Sequence, residues 1–335
     1  MKKRNKVSSI TQRFLDLIER ANTIVITTHL HPDADGIGSE VALCMALKKK
    51  GKNAICVNEL ALLERYKYLD PEDVVISYRN YQKKYKNQEI DLFIVTDTNA
   101  LPRIGTQVQK LVTKSKELLF IDHHPCPKEL AKIHCIDTSK AATGELVGTF
   151  IEAMNVKMTK SMALSLYTSI LIDTSSFRYP TVTGDTHRVI ANLMDTGVRP
   201  PEAYNAIYGT KKTSYLKLLG LVLQSAQTNK KETIGWISLT EENLKKYDVD
   251  PEDTHGFINH LLILDQVKVV LMFRQVREMV KISMRSVDDQ TDVGIIAQAL
   301  GGGGHNHSAA TLIEGKVERV VPETIRKVEM MLEDD

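Results

Sequence analysis

The chain has few cysteines, and the four present follow no pattern: Cys44, Cys56, Cys126 and Cys135 make no C-x-x-C pair and no zinc-ligand spacing. This excludes a disulfide framework and a zinc ribbon, and the thiols read as reduced and partly buried, as in a cytosolic protein. No apolar run approaches the ~18 residues that span a bilayer. The opening MKKRNKVSSITQRFLDLIER is basic without an apolar stretch behind it, which is the pattern of a helix capped near Ser8 or Ser9 rather than of a signal peptide. Charge of one sign is lacking too, since 44 basic residues against 42 acidic ones leave a formal net charge of +2. That balance argues against a protein coated for long duplex DNA. No internal repeat occurs, and no low-complexity tract is longer than Gly301–Gly304. The expectation is a cytoplasmic protein with no membrane partner.

At 335 residues, with 42% apolar and 26% charged side chains, the chain suits two folded domains. An amphipathic helix around 9–20 leads into IVITT (24–28), then a loop, a helical stretch over 40–52 and a second strand, AICV (54–57). DLFIVTD (91–97) and ELLFID (117–122) repeat the design and end in aspartate. Short, nearly continuous apolar strands alternating with helices predict an α/β domain with a parallel sheet covered on both faces. From about 142 the pattern turns helical, and strand signals resume only at TIGWISLT (233–240), VKVVLMF (267–273) and MVKISMRS (279–286). The expected organisation is a parallel-sheet α/β domain over 1–190, a helical linker over 191–225 and a smaller α/β domain over 226–335.

Metal-capable side chains recur at equivalent places. HLHPDADGIGS (29–39) follows the first strand with His29, Asp33 and Asp35; Asp97 closes the next; Asp122-His123-His124 closes another; Asp173 ends the run LSLYTSILIDT. In an open parallel sheet, ligands bind beyond the carboxyl ends of the strands, so these groups should converge on one rim. Each has a plain structural reading: Asp33 or Asp35 could cap a helix near Gly36, Asp97 could cap the next segment, and Asp173 could meet a hydroxyl such as that of Thr174. Four such coincidences at matching places point instead to a cluster neutralised by cations. Imidazole among oxygen ligands without thiolate suits Mn²⁺, Mg²⁺, Fe or Zn²⁺ and leans toward Mn²⁺. Two ions a few ångströms apart need about six or seven ligands, the number available here. His134, His187, His255 and His260 have no such company and read as surface or supporting residues.

In the second domain, LGGGGHNHSAAT (300–311) strips the side chains from four consecutive positions and sets His305 beside them. Bare backbone with an adjacent imidazole suits an anion or a base, although a flexible turn is the default for glycine alone. Neither a Walker A lysine nor a G-x-G-x-x-G is present. Arg285, at the end of MVKISMRS, is a second candidate for gripping phosphate.

Together HLHPDADGIGS, VTDTNALPRIG (95–105), IDHHP (121–125), LIDTSSFRY (171–179) and LGGGGHNHSAAT resemble the DHH phosphoesterase superfamily with its DHH-associated C-terminal domain. Within it, the chain resembles the short, stand-alone members, the nanoRNase/pAp-phosphatase group and the soluble cyclic di-AMP phosphodiesterases. The resemblance covers nearly the whole chain. It implies two Mn²⁺ ions, with Mg²⁺, Co²⁺ or Fe as alternatives, one held by His29, Asp33 and Asp97. The other would be held by Asp35, Asp97, His123 and Asp173. His124 and Arg103 would face phosphate, and His124 could protonate the leaving oxygen. Ser39, Arg285, Ser286, Gly301, Gly302, Gly303, Gly304 and His305 would contact substrate. His31 stands where the family often has Asn, and SAAT (308–311) is closer to the cyclic-dinucleotide branch. The implied function is two-metal hydrolysis of short oligoribonucleotides or linear dinucleotides, with pAp as a further substrate, in a family whose members are often homodimers. The rival readings are a cyclic di-AMP phosphodiesterase and, from a different class, a nucleotide receptor without turnover.

Overall fold

Along the strand that opens the first sheet, Ile24 and Ile26 bury their side chains on one face and Val25 on the other. The split recurs at Leu92 and Ile94 against Phe93 and Val95, and at Leu119 and Ile121 against Phe120. Successive strand side chains point to opposite faces, so these apolar runs need cover on both. In the computed structural model, which describes residues 8–86, 88–209, 211–288, 290–304 and 306–333, they form the centre of a parallel sheet. The chain divides into two compact units, Met1–Gly209 and Thr210–Asp335.

The first unit runs α1 (Ser9–Arg20), β1 (Thr23–Thr27), α2 (Ala34–Lys49), β2 (Asn53–Asn58), β3 (Val75–Ser77), α3 (Tyr78–Tyr85), β4 (Ile90–Thr96), α4 (Gln109–Val112) and β5 (Ser115–Asp122). It continues with α5 (Lys128–Ile133), β6 (Cys135–Ile136), α6 (Thr143–Ala153), α7 (Lys160–Asp173), α8 (Gly184–Asp195) and α9 (Pro200–Ile207). Its strands lie in the order β3-β2-β1-β4-β5-β6, all paired in parallel. The order reverses direction between β1 and β4, the place in such sheets where ligands bind beyond the carboxyl ends of the strands.

Two details of this unit differ from the sequence reading. The helix expected over 40–52 begins at Ala34, because the Asp33 side chain accepts from the N–H groups of Asp35 and Gly36 and starts it early. HPDADG is therefore a cap and a first turn rather than a loop. Helix α2 is buried from Ala34 through Leu47 and packs against α7, the environment that an apolar helix without a polar face requires. Gly38 permits that approach: a Cβ there would lie 2.4 Å from the Ser165 carbonyl oxygen. The segment 191–225, expected as a linker, is shared between the units. Leu193, Val198 and Ala203 belong to the first core, and Leu218 and Val222 to the second.

The second unit comprises α10 (Thr213–Gln224), β7 (Gln227–Thr228), β8 (Ile234–Leu239), α11 (Glu241–Tyr247), β9 (Val269–Val276) and β10 (Met279–Ser286). It ends with α12 (Val293–Ala299), β11 (Gly303–Gly304), β12 (Ser308–Glu314) and α13 (Val317–Glu333). A mixed sheet of order β11-β12-β10-β9-β8-β7 runs through it, with β8 and β9 parallel. Leu271 and Phe273 face one apolar cluster, Val270 and Met272 the other. Among the described residues, no helix is long and apolar enough to cross a membrane.

Candidate metal centre

The carboxyl ends of the strands at the switch point receive side chains from five elements. His29 lies just beyond β1, Asp97 just beyond β4, and His123 just beyond Asp122 at the end of β5. Asp33 and Asp35 come from the start of α2, and Asp173 from the end of α7. Donor atoms of His29, Asp33 and Asp97 lie within 4.8 Å of one another, as do those of Asp35, His123 and Asp173. A third set, Asp97, His123 and His124, links the two. His29 Nε2 is 3.4 Å from Asp97 Oδ2. His123 Nε2 is 3.1 Å from Asp173 Oδ2, 3.8 Å from Asp35 Oδ2 and 4.0 Å from Asp97 Oδ1.

The surrounding structure aims these groups. Asp35 accepts from the N–H of Thr143 at 2.9 Å, the N–H of Gly144 at 3.0 Å and the Ser39 hydroxyl at 3.1 Å, and also from the Ser169 hydroxyl. Asp97 accepts from the Thr143 hydroxyl at 3.0 Å. His123 Nδ1 sits 3.1 Å from the Lys140 carbonyl oxygen. A carbonyl only accepts, so Nδ1 carries hydrogen and the Nε2 edge is the one turned toward the carboxylates. Two stretches of backbone near the ligands are left-handed: Asp97 at φ 61°, and Ser175, Ser176 and Phe177 at 48°, 63° and 65°, directly after Asp173 and Thr174. Non-glycine residues take that conformation at a cost of about 1 kcal/mol or more each, and it concentrates where a side chain must be aimed.

The electrostatics are those of a site built around positive charge. Burial raises Asp35 to about 6, with Asp173 adding to the shift. Burial likewise drives Asp97 well above the usual carboxylate range, reinforced by Asp35, Asp33 and Asp173. Burial works against a charged His123, but Asp173, Asp35 and Asp122 overcome it and raise the ring to about 10. His29 moves the other way, held below its ordinary value by burial with Arg103 pushing in the same sense against Asp33. Among the described residues, the partners of Asp35 and Asp97 in ion-pair range are imidazoles, with no lysine or arginine. Nitrogen and oxygen donors in two linked sets, around carboxylates that repel one another, fit divalent cations.

Other expected residues lie as follows. His124 Nδ1 is 2.5 Å from Asp122 Oδ1. Arg103 is exposed, close enough to His29 to depress it, and its carbonyl accepts from the Leu30 N–H at 2.6 Å. Ser39, expected at the substrate, is fully buried, and its hydroxyl supports Asp35 instead; a side chain walled in on α2 cannot meet a nucleotide. In the second unit, Arg285 donates to the Met284 carbonyl, and the buried Ser286 hydroxyl lies 2.7 Å from His307 Nδ1. Gly301 and Gly302 form a turn after α12, whereas Gly303 and Gly304 pair with Ala310 and Ala309 as β11. Half of the expected glycine loop is thus strand, and His305 lies outside the described residues. Sequence reading missed Thr143, Ser169, Lys140 and Asp122 as supports. Only Asp122 carried a signal, its place at a strand end beside two histidines.

A parallel α/β sheet with an acid and imidazole cluster at its switch point defines an enzyme with a candidate metal centre. Comparison with known proteins specifies the family. Residues 23–170 match the DHH family, N-terminal domain, and residues 236–334 match the DHHA1 domain. The chain is 30% identical over 294 residues to the bifunctional oligoribonuclease and PAP phosphatase NrnA of Thermus thermophilus, covering 87% of this chain and 84% of that one. It superposes on an exopolyphosphatase-related protein from Bacteroides fragilis with a TM-score of 0.85 and 29% identity, over 98% of this chain and 96% of that one. RecJ from Thermus thermophilus in complex with Mn²⁺ shares the fold at a TM-score of 0.51 and 12% identity, over 97% of this chain and 55% of that one. The chain belongs to the DHH family and is a phosphoesterase of that family.

Proposed function

We propose that the protein hydrolyses short oligoribonucleotides and linear dinucleotides such as pApA, and releases the terminal phosphate of pAp, using two Mn²⁺ ions. One ion is assigned to His29, Asp33 and Asp97 and the other to Asp35, His123 and Asp173, with Asp97 shared. The observation that carries this reading is the pair of three-donor sets at the switch point, each gathered within 4.8 Å. Divalent cations at such a pair supply Lewis acidity, bringing the pKa of water toward neutrality and offsetting phosphoryl charge. Likeness to the Thermus oligoribonuclease and PAP phosphatase supports the substrate class, and the mixed oxygen and imidazole donors support Mn²⁺ over thiophilic metals.

The chain's own groups supply positioning and proton transfer. Asp122 holds His124 Nδ1, which orients the ring so that its Nε2 edge gives a proton to the leaving oxygen. Arg103, exposed beside His29, is assigned to a phosphate oxygen. The first unit is read as the catalytic domain. In the second, Arg285, Ser286 and Gly301–Gly304 with His305 are assigned to the nucleotide. The protein is read as cytoplasmic, where its thiols stay reduced, and as a homodimer, as the family resemblance implies.

The test is kcat/KM on pApA, pAp and cyclic di-AMP with Mn²⁺, with a chelator as control. Turnover of pApA and pAp well above that of cyclic di-AMP is expected. A preference for cyclic di-AMP replaces the substrate assignment, and tight binding without product replaces the enzyme by a receptor.

A further inference from the structure

Six consecutive residues, 140–145, contribute no candidate metal ligand and yet hold three of them. The Lys140 carbonyl orients His123. The N–H groups of Thr143 and Gly144 seat Asp35, and the Thr143 hydroxyl seats Asp97. Something must fix this segment, because it runs from a loop into the first turn of α6 and its Ala142 cap has no side-chain hydrogen bond to give.

That fixture is Glu145. It is 1% exposed. Its Oε1 accepts from Lys140 Nζ at 3.0 Å. Its Oε2 accepts from the Ala141 N–H at 3.2 Å and from the Thr186 hydroxyl at 3.1 Å. Both oxygens reach back over the segment, closing it into a ring through the Lys140 side chain and the Ala141 backbone. Thr186 ties the same carboxylate to α8, where it also forms the capping box with Thr183. Buried carboxylates are costly unless hydrogen-bonded, and here two of the three donors come from the loop that aims the candidate ligands.

We propose that Glu145 is a positioning residue of the metal centre, acting through the 140–144 ring to aim His123, Asp35 and Asp97; this rests on the metal-centre reading above. A carboxylate that merely capped α6 would accept from the N–H of the Ala142 cap, whereas Glu145 accepts from Ala141 and Lys140, outside the helix. The Lys140 contact is what sets the carbonyl facing His123, and that carbonyl decides which imidazole edge meets a cation. Groups that orient a ligand histidine in this way typically change metal affinity 10- to 100-fold when removed.

The experiment is Mn²⁺ titration by calorimetry of the full chain as wild type, Glu145→Gln, Lys140→Met and Asp70→Asn, with melting temperatures in chelator alongside. Asp70 is a buried carboxylate that caps the N–H groups of Val74 and Val75, away from the ring, so its variant measures general loosening. Glu145→Gln and Lys140→Met should each weaken Mn²⁺ binding at least 10-fold, while Asp70→Asn leaves it within twofold. Activity of Glu145→Gln should recover toward wild type at saturating Mn²⁺ with KM for pApA unchanged. An unaltered Mn²⁺ affinity in both ring variants overturns the proposal, as does an equal loss in Asp70→Asn. If wild type itself takes up no Mn²⁺, it is the metal-centre reading that falls, so the two failures are distinguishable.

Discussion

Replacing Asp97 by Asn should make the metal-free protein more stable and the metal-loaded protein less stable. The amide fits the site: its oxygen can keep the Thr143 hydroxyl bond, and asparagine tolerates the left-handed backbone at φ 61°. What changes is a buried charge facing Asp35, Asp33 and Asp173. Burial and those carboxylates outweigh the imidazoles nearby, so removing the charge with geometry kept should stabilise by on the order of 2 kcal/mol. In a domain of this size that is roughly a 4–8 °C rise in melting temperature. The sign with pH follows from the raised folded-state pKa. Wild type carries its full share of stability below the unfolded value near 4 and loses it as pH rises through the folded value. The advantage of the Asn variant in chelator should therefore be small at pH 4 and grow toward pH 8. With Mn²⁺ at a hundred times its Kd, wild type gains about 2.7 kcal/mol per site, and the variant forfeits this gain. Thermal denaturation in chelator and in Mn²⁺, across that pH range, should show the order of stability invert. A variant destabilised in chelator at every pH would refute the claim that Asp97 is held against repulsion. Equal stabilisation of both proteins by Mn²⁺ would remove Asp97 from the metal centre.

Two further outcomes follow from the structure. Asp91 accepts from Lys116 and from the N–H groups of Thr23 and Asn22, which lowers it to about 2 and pins the start of β1 beside β4. Its contribution is present above pH 4 and lost as pH falls through about 2, so urea denaturation should show Asp91→Asn less stable by about 1 kcal/mol at pH 7, with the gap closing by pH 2. Ser176 stands in the middle of the left-handed turn after Asp173, where a β-branched side chain is a severe outlier. Ser176→Val should lower the melting temperature and weaken Mn²⁺ binding, whereas Ser176→Gly should preserve both.

How much of this was legible in the chain depends on the range of the interaction. β1, β4 and β5 were readable because each is an apolar run whose alternate residues serve two cores, and each leads into a residue of the candidate metal centre. The early start of α2 was not, because Asp33 had two local uses and the pattern HPDADG does not say which applies. In the structure Asp33 caps α2 and also belongs to a donor set, so its two uses were never exclusive. The strands β3 and β6, of three and two residues, were too short to leave a period. The supports were invisible for a different reason: Thr143 and Gly144 meet Asp35 across 108 and 109 residues, and Ser169 across 134. Nothing in a local pattern marks a hydroxyl or a backbone N–H for such a task. The division of 191–225 between two cores was equally non-local, since amphipathic helices of that stretch show an apolar face without naming its partner.

The hydrogen-bond pattern at individual carboxylate oxygens separates candidate ligands from supports where residue type cannot. At Asp35, Oδ1 accepts three hydrogen bonds, while Oδ2 accepts one and faces His123. At Asp97, Oδ1 takes the Thr143 hydroxyl and Oδ2 faces His29. At Asp33, Oδ1 takes both N–H groups of the helix cap. Each of these three keeps one oxygen engaged by the fold and one with capacity for a cation, since a carboxylate offers about four lone-pair sites. Asp122 is spent differently. Its Oδ1 takes the N–H groups of His123 and His124 and the His124 ring, and its Oδ2 takes the Asn99 amide. The contacts with His124 also hold Asp122 below the ordinary carboxylate range against the effect of burial, so it stays ionised without a metal. A carboxylate already satisfied by donors has little to gain from a cation, whereas Asp35 and Asp97, raised by burial and by one another, have much. The aspartate that opens the Asp-His-His motif is on these grounds the group that orients His124, and the metal-seeking charge lies on the carboxylates around it.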